Sequence, residues 1–430
     1  GLADNCRLRL QSIIMSAAPT AIPLLVGLLS ESKTEVLQIH LLLLLNQLAK
    51  GSLDLPQVIA FQSTFEILLD LISDAGLTSG EVIVGASLEL LLTLLEGHAS
   101  NQILFFESGL LTKIQYLLAV PELESNTELN PVESGSDDSL VMLLKILGSL
   151  LDPFVSRTVP SVQNSIVSNS TLFKSIHMMA FGKSIPLSVR SESLRLLGQI
   201  IYRNEDAKKR LLDQESIISR IIEASFTIGE PPQELFYELT FLNDTLKYSL
   251  LTGTTTDVRL IIDGLIGENA DKKLASANLL SSLIGEYKVG QDVALLFPAG
   301  EDELSLLQTL LFDFVGTPKS SWSLLVAFMK LFCVWLWDCP GALQVFLSEA
   351  ALLTFVIELI EHRLNDPQAQ ARLQGTAAFL FGVCLFHSPN PNDLKSLIRT
   401  KIGHEILRGK FYGLQRYAMD QDSGAHWYLQ

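Results

Sequence analysis

The sequence predicts an all-α protein, an armadillo/HEAT-like right-handed superhelical solenoid of three-helix repeats, each about 45 residues long. Three observations predict it. Leu dominates the 430 residues, aromatics make up only 8%, and strand-type alternation is rare. A unit recurs in which a short helix ends in bulky apolar residues, turns through small polar ones and resumes as a second apolar helix. A third, longer helix separates most of these units.

The recurrence is plainest where VIAFQSTFEILLDLI from Val58 aligns without a gap on ILFFESGLLTKIQYL from Ile103, setting Phe61 against Phe106. Looser copies begin at Ile13, Ile166, Arg210 and Val345. Met15 to Phe61 and Val167 to Leu212 are each about one 45-residue period, and Leu212 to Leu347 is about three. Third helices are expected over Thr34–Lys50, Gly80–Glu96, Ser188–Tyr202 and Ser320–Trp337. One such unit cannot cover its own apolar faces, so stacking neighbours bury a continuous core.

Punctuation agrees with this reading. Ser100 is placed to cap a helix beginning near Asn101. Asp54 precedes Pro56 at a helix start, where Pro is tolerated. Gly76, Gly97 and Gly229 follow apolar helices as C-terminal caps. PELESNTELNPVESGSDD, residues 121–138, reads as an acidic inter-repeat loop. The copies are most degenerate between Glu230 and Gly316. No point marks an end to the core, so residues 1–430 are expected to form a single domain.

Composition excludes several classes of function. A formal net charge of −16 argues against nucleic acid, which needs clustered Lys and Arg, and against direct adhesion to anionic lipid. Mean hydropathy is +0.33, yet the most apolar stretch, Ser323–Trp337, carries Lys330 and is closed by Asp338. A membrane span needs about 20 apolar residues. Cys6, Cys333, Cys339 and Cys384 form no CxxC pair, which suits a reducing, cytosolic compartment.

No motif for catalysis or cofactor binding occurs: no phosphate loop, dinucleotide fingerprint, HExxH, GxSxG or EF-hand loop. The seven histidines show no metal-ligand spacing, and no cofactor is expected. Cys333 and Cys339 read as core residues on different faces of one helix. Trp322, Trp335 and Trp337 read as core packing, an exposed Trp being the mark of a binding hot spot instead. The sequons at Asn169 and Asn243 read as chance. Asn46, Asn101, Asn204, Asn243 and Asn278 do not recur at one repeat position, unlike the regular Asn and Trp of armadillo cargo adaptors. An armadillo-type cargo or scaffold adaptor stands as the alternative reading.

One segment departs from the acidic background. LKSLIRTKIGHEILRGKFYGLQRY carries Lys395, Arg399, Lys401, Arg408, Lys410 and Arg416. These six form the candidate protein-binding face, for docking or self-association. The plainer reading is a solvated helix face that caps the array.

Five blocks carry a family resemblance: VIAFQSTFEILLDLISDAG (58–76), SNQILFFESG (100–109), CVWLWDCPGALQVFL (333–347), LQGTAAFLFGVCLF (373–386) and LKSLIRTKIGHEILRGKFYGL (394–414). In order and spacing they resemble the globular head of the general vesicular transport factor family, the Uso-type Golgi vesicle tethers. The resemblance implies an armadillo-like head lacking its first repeats and followed elsewhere by a dimeric coiled coil. It implies a non-enzymatic protein, cytoplasmic and peripheral on Golgi and transport-vesicle membranes. It also implies action in ER-to-Golgi and intra-Golgi transport through an early-secretory Rab GTPase, SNAREs and golgins or other Golgi tethers. No functional residue is carried over from the family.

Overall fold

The computed structural model describes residues 2–17, 20–77, 81–118, 134–155, 157–253, 256–298 and 304–421. Among them lie 26 helices and no strand, only an isolated bridge between Pro298 and Ser305. The chain divides into two compact units, Gly1–Gln214 and Glu215–Gln430.

The first unit begins with α1 (Leu2–Ala17), α2 (Ala21–Glu31) and α3 (Glu35–Ala49). Its second repeat is α4 (Leu55–Ala60), α5 (Thr64–Ala75) and α6 (Val82–Leu95); its third is α7 (Ala99–Glu107), α8 (Leu111–Leu118) and α9 (Ser134–Ser149). The fourth is α10 (Val159–Ser168), α11 (Ser170–Phe181) and α12 (Leu187–Ile201), and α13 (Glu205–Leu212) closes the unit. Third helices stack on third helices, α3 on α6, α6 on α9 and α9 on α12, while α8 packs between α5 and α11. Phe65 of α5 meets Phe105 of α7 edge to face at 5.2 Å, joining adjacent repeats.

The second unit opens with α14 (Ile217–Ile228) and α15 (Glu230–Thr240). Three full repeats follow: α16 (Asp244–Thr252), α17 (Thr256–Ile266), α18 (Ala270–Ile284); α19 (Lys288–Leu295), α20 (Leu306–Gly316), α21 (Trp322–Leu336); and α22 (Pro340–Ser348), α23 (Ala350–Glu361), α24 (Pro367–His387). It ends with α25 (Pro391–Lys401) and α26 (His404–Gln421). Here too the third helices form a ladder, α15, α18, α21 and α24, with α26 packed on α24. Phe314 of α20 anchors the core, its ring set edge to face against Phe332 at 5.4 Å and Phe355 at 5.1 Å. The degenerate stretch from Glu230 to Gly316 is thus built from the same repeats.

Each third helix ends with carbonyls that lack an intrahelical partner, and in four repeats the first helix of the same repeat supplies one. Gln11 Nε2 donates to the Leu48 and Lys50 carbonyls at 2.9 and 3.0 Å. Gln163 Nε2 donates to those of Gln199 and Tyr202, both at 2.9 Å. Gln291 Nε2 reaches Val334 at 2.7 Å and Trp337 at 3.2 Å. Lys247 Nζ performs the same service for Gly285 at 2.6 Å, and burial pushes its ammonium below the ordinary lysine value.

The turn from a third helix into the next first helix also repeats. The residue after the C-cap is left-handed at Gly51, Gly97, Arg203, Leu242, Glu286 and Asp338, with φ between 51 and 75°. Four of the six are not glycine, so glycine content alone does not mark these turns.

Several sequence expectations need correction. Burial pairs Ile59 with Phe105, Leu68 with Ile114 and Ile72 with Leu118, one residue further apart than the gapless alignment sets them. Phe61 is exposed in a turn, whereas Phe106 lies within α7. His98, not Ser100, caps α7. Cys339 lies beyond the end of α21 as the cap of α22, so it does not share a helix with Cys333; both are buried. Asn204 and Asn243 do share a place, each capping a first helix through its side chain. Asn169 likewise accepts the Leu172 N–H at the start of α11, so both sequon asparagines are capping residues. Of the acidic loop at 121–138, residues 134–138 open α9 and the rest lie outside the described residues.

The third-helix boundaries agree to within two residues with those expected from sequence, as at α3 and α12. Gly76, Gly97 and Gly229 all have positive φ where their helices stop. Asp54 and Pro56 begin α4 as expected, although the Asp54 side chain makes no capping bond.

Candidate functional site

The cationic segment folds as α25 and α26 against the long helix α24. Leu394, Ile398 and Ile402 are buried and seat α25. A left-handed Gly403 (φ 87°) then turns the chain into α26, its N–H donating to the Ile398 carbonyl at 2.8 Å. α24 and α26 approach closely at Gly375, where an added Cβ would stand 2.4 Å from Leu414 Cβ. Beside that crossing Lys410 Nζ donates to Gln374 Oε1 at 2.7 Å.

Away from the crossing the helices line a cleft of about 530 Å³ together with Trp337 at the end of α21. Its walls are aromatic. Phe379 stacks on Phe411 at 6.1 Å and Trp337 on Phe386 at 6.2 Å. His387 packs edge-on against both members of the second pair, at 4.9 and 4.8 Å. Fractional exposure is 50% for Trp337, 76% for Phe386 and 39% for Phe411. The expectation that all three neighbouring tryptophans pack in the core is thus corrected: Trp335 is fully buried and Trp337 is not. Trp337 is the C-cap, one residue before the left-handed Asp338, so the chain turns away there and leaves the indole outside.

His404, Glu405 and Arg408 line the same cleft. Arg399 Nε donates to His404 Nε2 at 3.4 Å, from behind the lining. Arg408 donates to the Tyr412 hydroxyl from Nε and Nη2, at 3.3 and 3.2 Å. Of the six candidate residues, then, the structure places Arg408 on the cleft lining, and Arg399 touches it only through His404. Lys395 stands one turn before Arg399, Arg416 two turns beyond Arg408 and Lys401 at the end of α25. Lys410 is committed to Gln374.

None of the six makes an ion pair among the described residues. Other lysines of the same unit do: Lys273 with Asp313, Lys288 with Asp338 at 3.1 Å and Lys319 with Glu358 at 2.6 Å. Sequence reading found the cations but missed the aromatic walls, because Phe379 and Phe386 sit in a helix that is apolar on nearly every side. The one available signal was Trp337, directly before the helix-stopping Asp338-Cys339-Pro340.

The buried thiols offer no reactive group. Burial pushes the Cys384 thiol up to about 12 and Cys333 up as well, so both stay protonated and poorly nucleophilic. Among the described residues no group of three His, Cys, Asp or Glu side chains gathers as a metal site. No single described helix is long and apolar enough to cross a membrane; three bent helix pairs reach that length and apolarity only jointly, across bends of 85° to 115°.

The described residues form a helical-repeat protein, a stack of three-helix repeats with an open aromatic cleft. The family described as "Uso1 / p115 like vesicle tethering protein, head region" matches residues 177–419, and the chain belongs to it. Human general vesicular transport factor p115 is 23% identical across 92% of this chain, and intracellular protein transport protein USO1 of Saccharomyces cerevisiae is 28% identical across 47%. Those matches cover 44% and 11% of the relatives' own lengths, so the chain spans less than half of each. The crystal structure of Uso1-1 shares the fold, with a TM-score of 0.72 and 18% identity over 94% of this chain and 68% of that one.

Proposed function

We propose that this chain is the protein-binding head of a vesicle-tethering factor in ER-to-Golgi and intra-Golgi transport. It works in the cytoplasm on Golgi and transport-vesicle membranes, engaging an early-secretory Rab GTPase, SNAREs and other Golgi tethers. The carrying observation is the family match over residues 177–419, which spans the repeats of the second unit and the cleft. The mechanism is binding: a ladder of rigid helices holds patches in fixed relation, and a coiled coil elsewhere in the whole protein would supply reach and dimerisation.

The test is retention of the chain on immobilised early-secretory Rab GTPases loaded with GTP analogue or GDP. GTP-selective retention supports the reading. If neither form retains this chain or the complete head, a Rab-dependent tethering role is lost.

A further inference from the structure

The cleft between α24 and α26 joins two properties. Its walls are aromatic and open, and it carries Arg408, which makes no ion pair among the described residues although Glu405 lies near it. From Pro391 to Arg416 the chain places six Lys and Arg against only Asp393 and Glu405, within a sequence of net charge −16. Lys273, Lys288 and Lys319 of the same unit each pair with a carboxylate, whereas none of these six cations does among the described residues.

We propose that this cleft docks an acidic peptide segment of another protein. The segment inserts one bulky apolar side chain between Trp337, Phe386 and Phe411 and lays its carboxylates against Arg408. About 530 Å³ is the volume of a small pocket, room for an aromatic anchor with part of its flanking backbone. Aromatic and Arg side chains gathered in one pocket are the composition of interface hot spots. Arg408 is held in place by Tyr412, and its planar fork suits a carboxylate. Glu405, also on the lining, rejects a segment whose acidic residues enter the cleft itself, which sets the order: apolar anchor inside, carboxylates on the rim.

Concavity favours a peptide over a bilayer. The two stacked pairs, Phe379 with Phe411 and Trp337 with Phe386, line the cleft side by side, and a single side chain enters it more readily than a flat lipid surface. The proposal stands apart from the tethering reading, since a Rab pull-down tests neither this cleft nor its charge preference.

The probe is a fluorescein-labelled synthetic peptide with one tryptophan between runs of Glu and Asp. Comparison peptides carry Gln and Asn in place of the acids, or Ala in place of Trp. Anisotropy titration is expected to give saturable binding to the acidic peptide, weakened about tenfold or more by either change. Phe386→Ala and Arg408→Glu are expected to weaken it to a similar extent. Lys183→Glu, the same charge change in the other unit, is expected to leave it within about twofold. Phe386 and Arg408 are exposed, and matching thermal melts confirm that the variants fold.

Absence of saturable binding overturns the proposal, as does binding that ignores both substitutions in the cleft. Flotation with vesicles of phosphatidylserine and phosphatidylcholine, in place of peptide binding and through the same two residues, assigns the cleft to membrane. Self-association of the chain that Phe386→Ala abolishes, without peptide binding, assigns it to a second copy. Either result overturns the proposal.

Discussion

Gln291 of α19 and Trp335 of α21 bind reciprocally, tying the first and third helices of one repeat together. The Gln291 side-chain amide serves the carbonyls that end α21, while the Trp335 indole N–H donates back to the Gln291 carbonyl at 3.2 Å. Both residues are buried. Gln291→Ala removes the donor and strands the Val334 and Trp337 carbonyls. A loss of about 1–3 kcal/mol is expected, read as a lower urea midpoint. An unchanged midpoint would mean that water replaces the amide.

Leu242 is left-handed, with φ 53°, and 75% exposed. A branched apolar residue there carries backbone strain of about 1–2 kcal/mol with little packing in return. Leu242→Asn keeps the turn and suits its conformation, so thermal denaturation should show a gain of about 1 kcal/mol. A loss would show that the exposed side chain packs in a way its burial does not suggest.

Gly375 lies where α24 and α26 nearly touch. Gly375→Ala places a Cβ against Leu414 Cβ and the Lys410 carbonyl, at 2.4 and 3.1 Å in the present geometry. The backbone oxygen cannot rotate aside, so α26 must shift. A cost of about 1–3 kcal/mol is expected, and it should appear as faster amide exchange in α26 with the ladder from α15 to α24 still protected. Uniform loss of protection would mean that α26 is integral to the whole unit.

The thiols give a pH prediction with a definite sign. Burial raises Cys384 from 9.0 to about 12. The folded form therefore holds its proton where the unfolded chain releases it, and the resulting stability is complete below pH 9 and declines as pH rises towards 12. At neutral pH a thiol reagent should label the exposed Cys6 rapidly and Cys333, Cys339 and Cys384 slowly. Equal labelling rates would contradict the burial of all three.

Much of the fold was legible because long third helices write a strong 3.6-residue pattern. Glu35–Ala49 and Leu187–Ile201 were recoverable almost to the residue. The short first helices were harder to read: six residues of α4 hold too few apolar positions to fix a register, which explains the slip at Phe61. The left-handed turns at Arg203, Leu242, Glu286 and Asp338 were invisible because surrounding structure, not residue type, imposes their conformation. At the site the charges were legible from composition. The aromatic walls were not, since exposure of Phe379 and Phe386 depends on where α26 diverges from α24, a tertiary fact set by Gly375.

The amide N–H groups that close α3, α12 and α21 donate only to main-chain atoms. At 48 and 50, at 199 and 202, and at 334 and 337 the receiving groups are carbonyls, which every residue type possesses. Such a fastening is blind to mutation at the positions it holds. Those positions are free to drift, one becoming a lysine, another a tyrosine, another a tryptophan, while the geometry that presents them stays constant. An architecture fastened in this way can diversify what it displays, Trp337 included, without renegotiating how it stands.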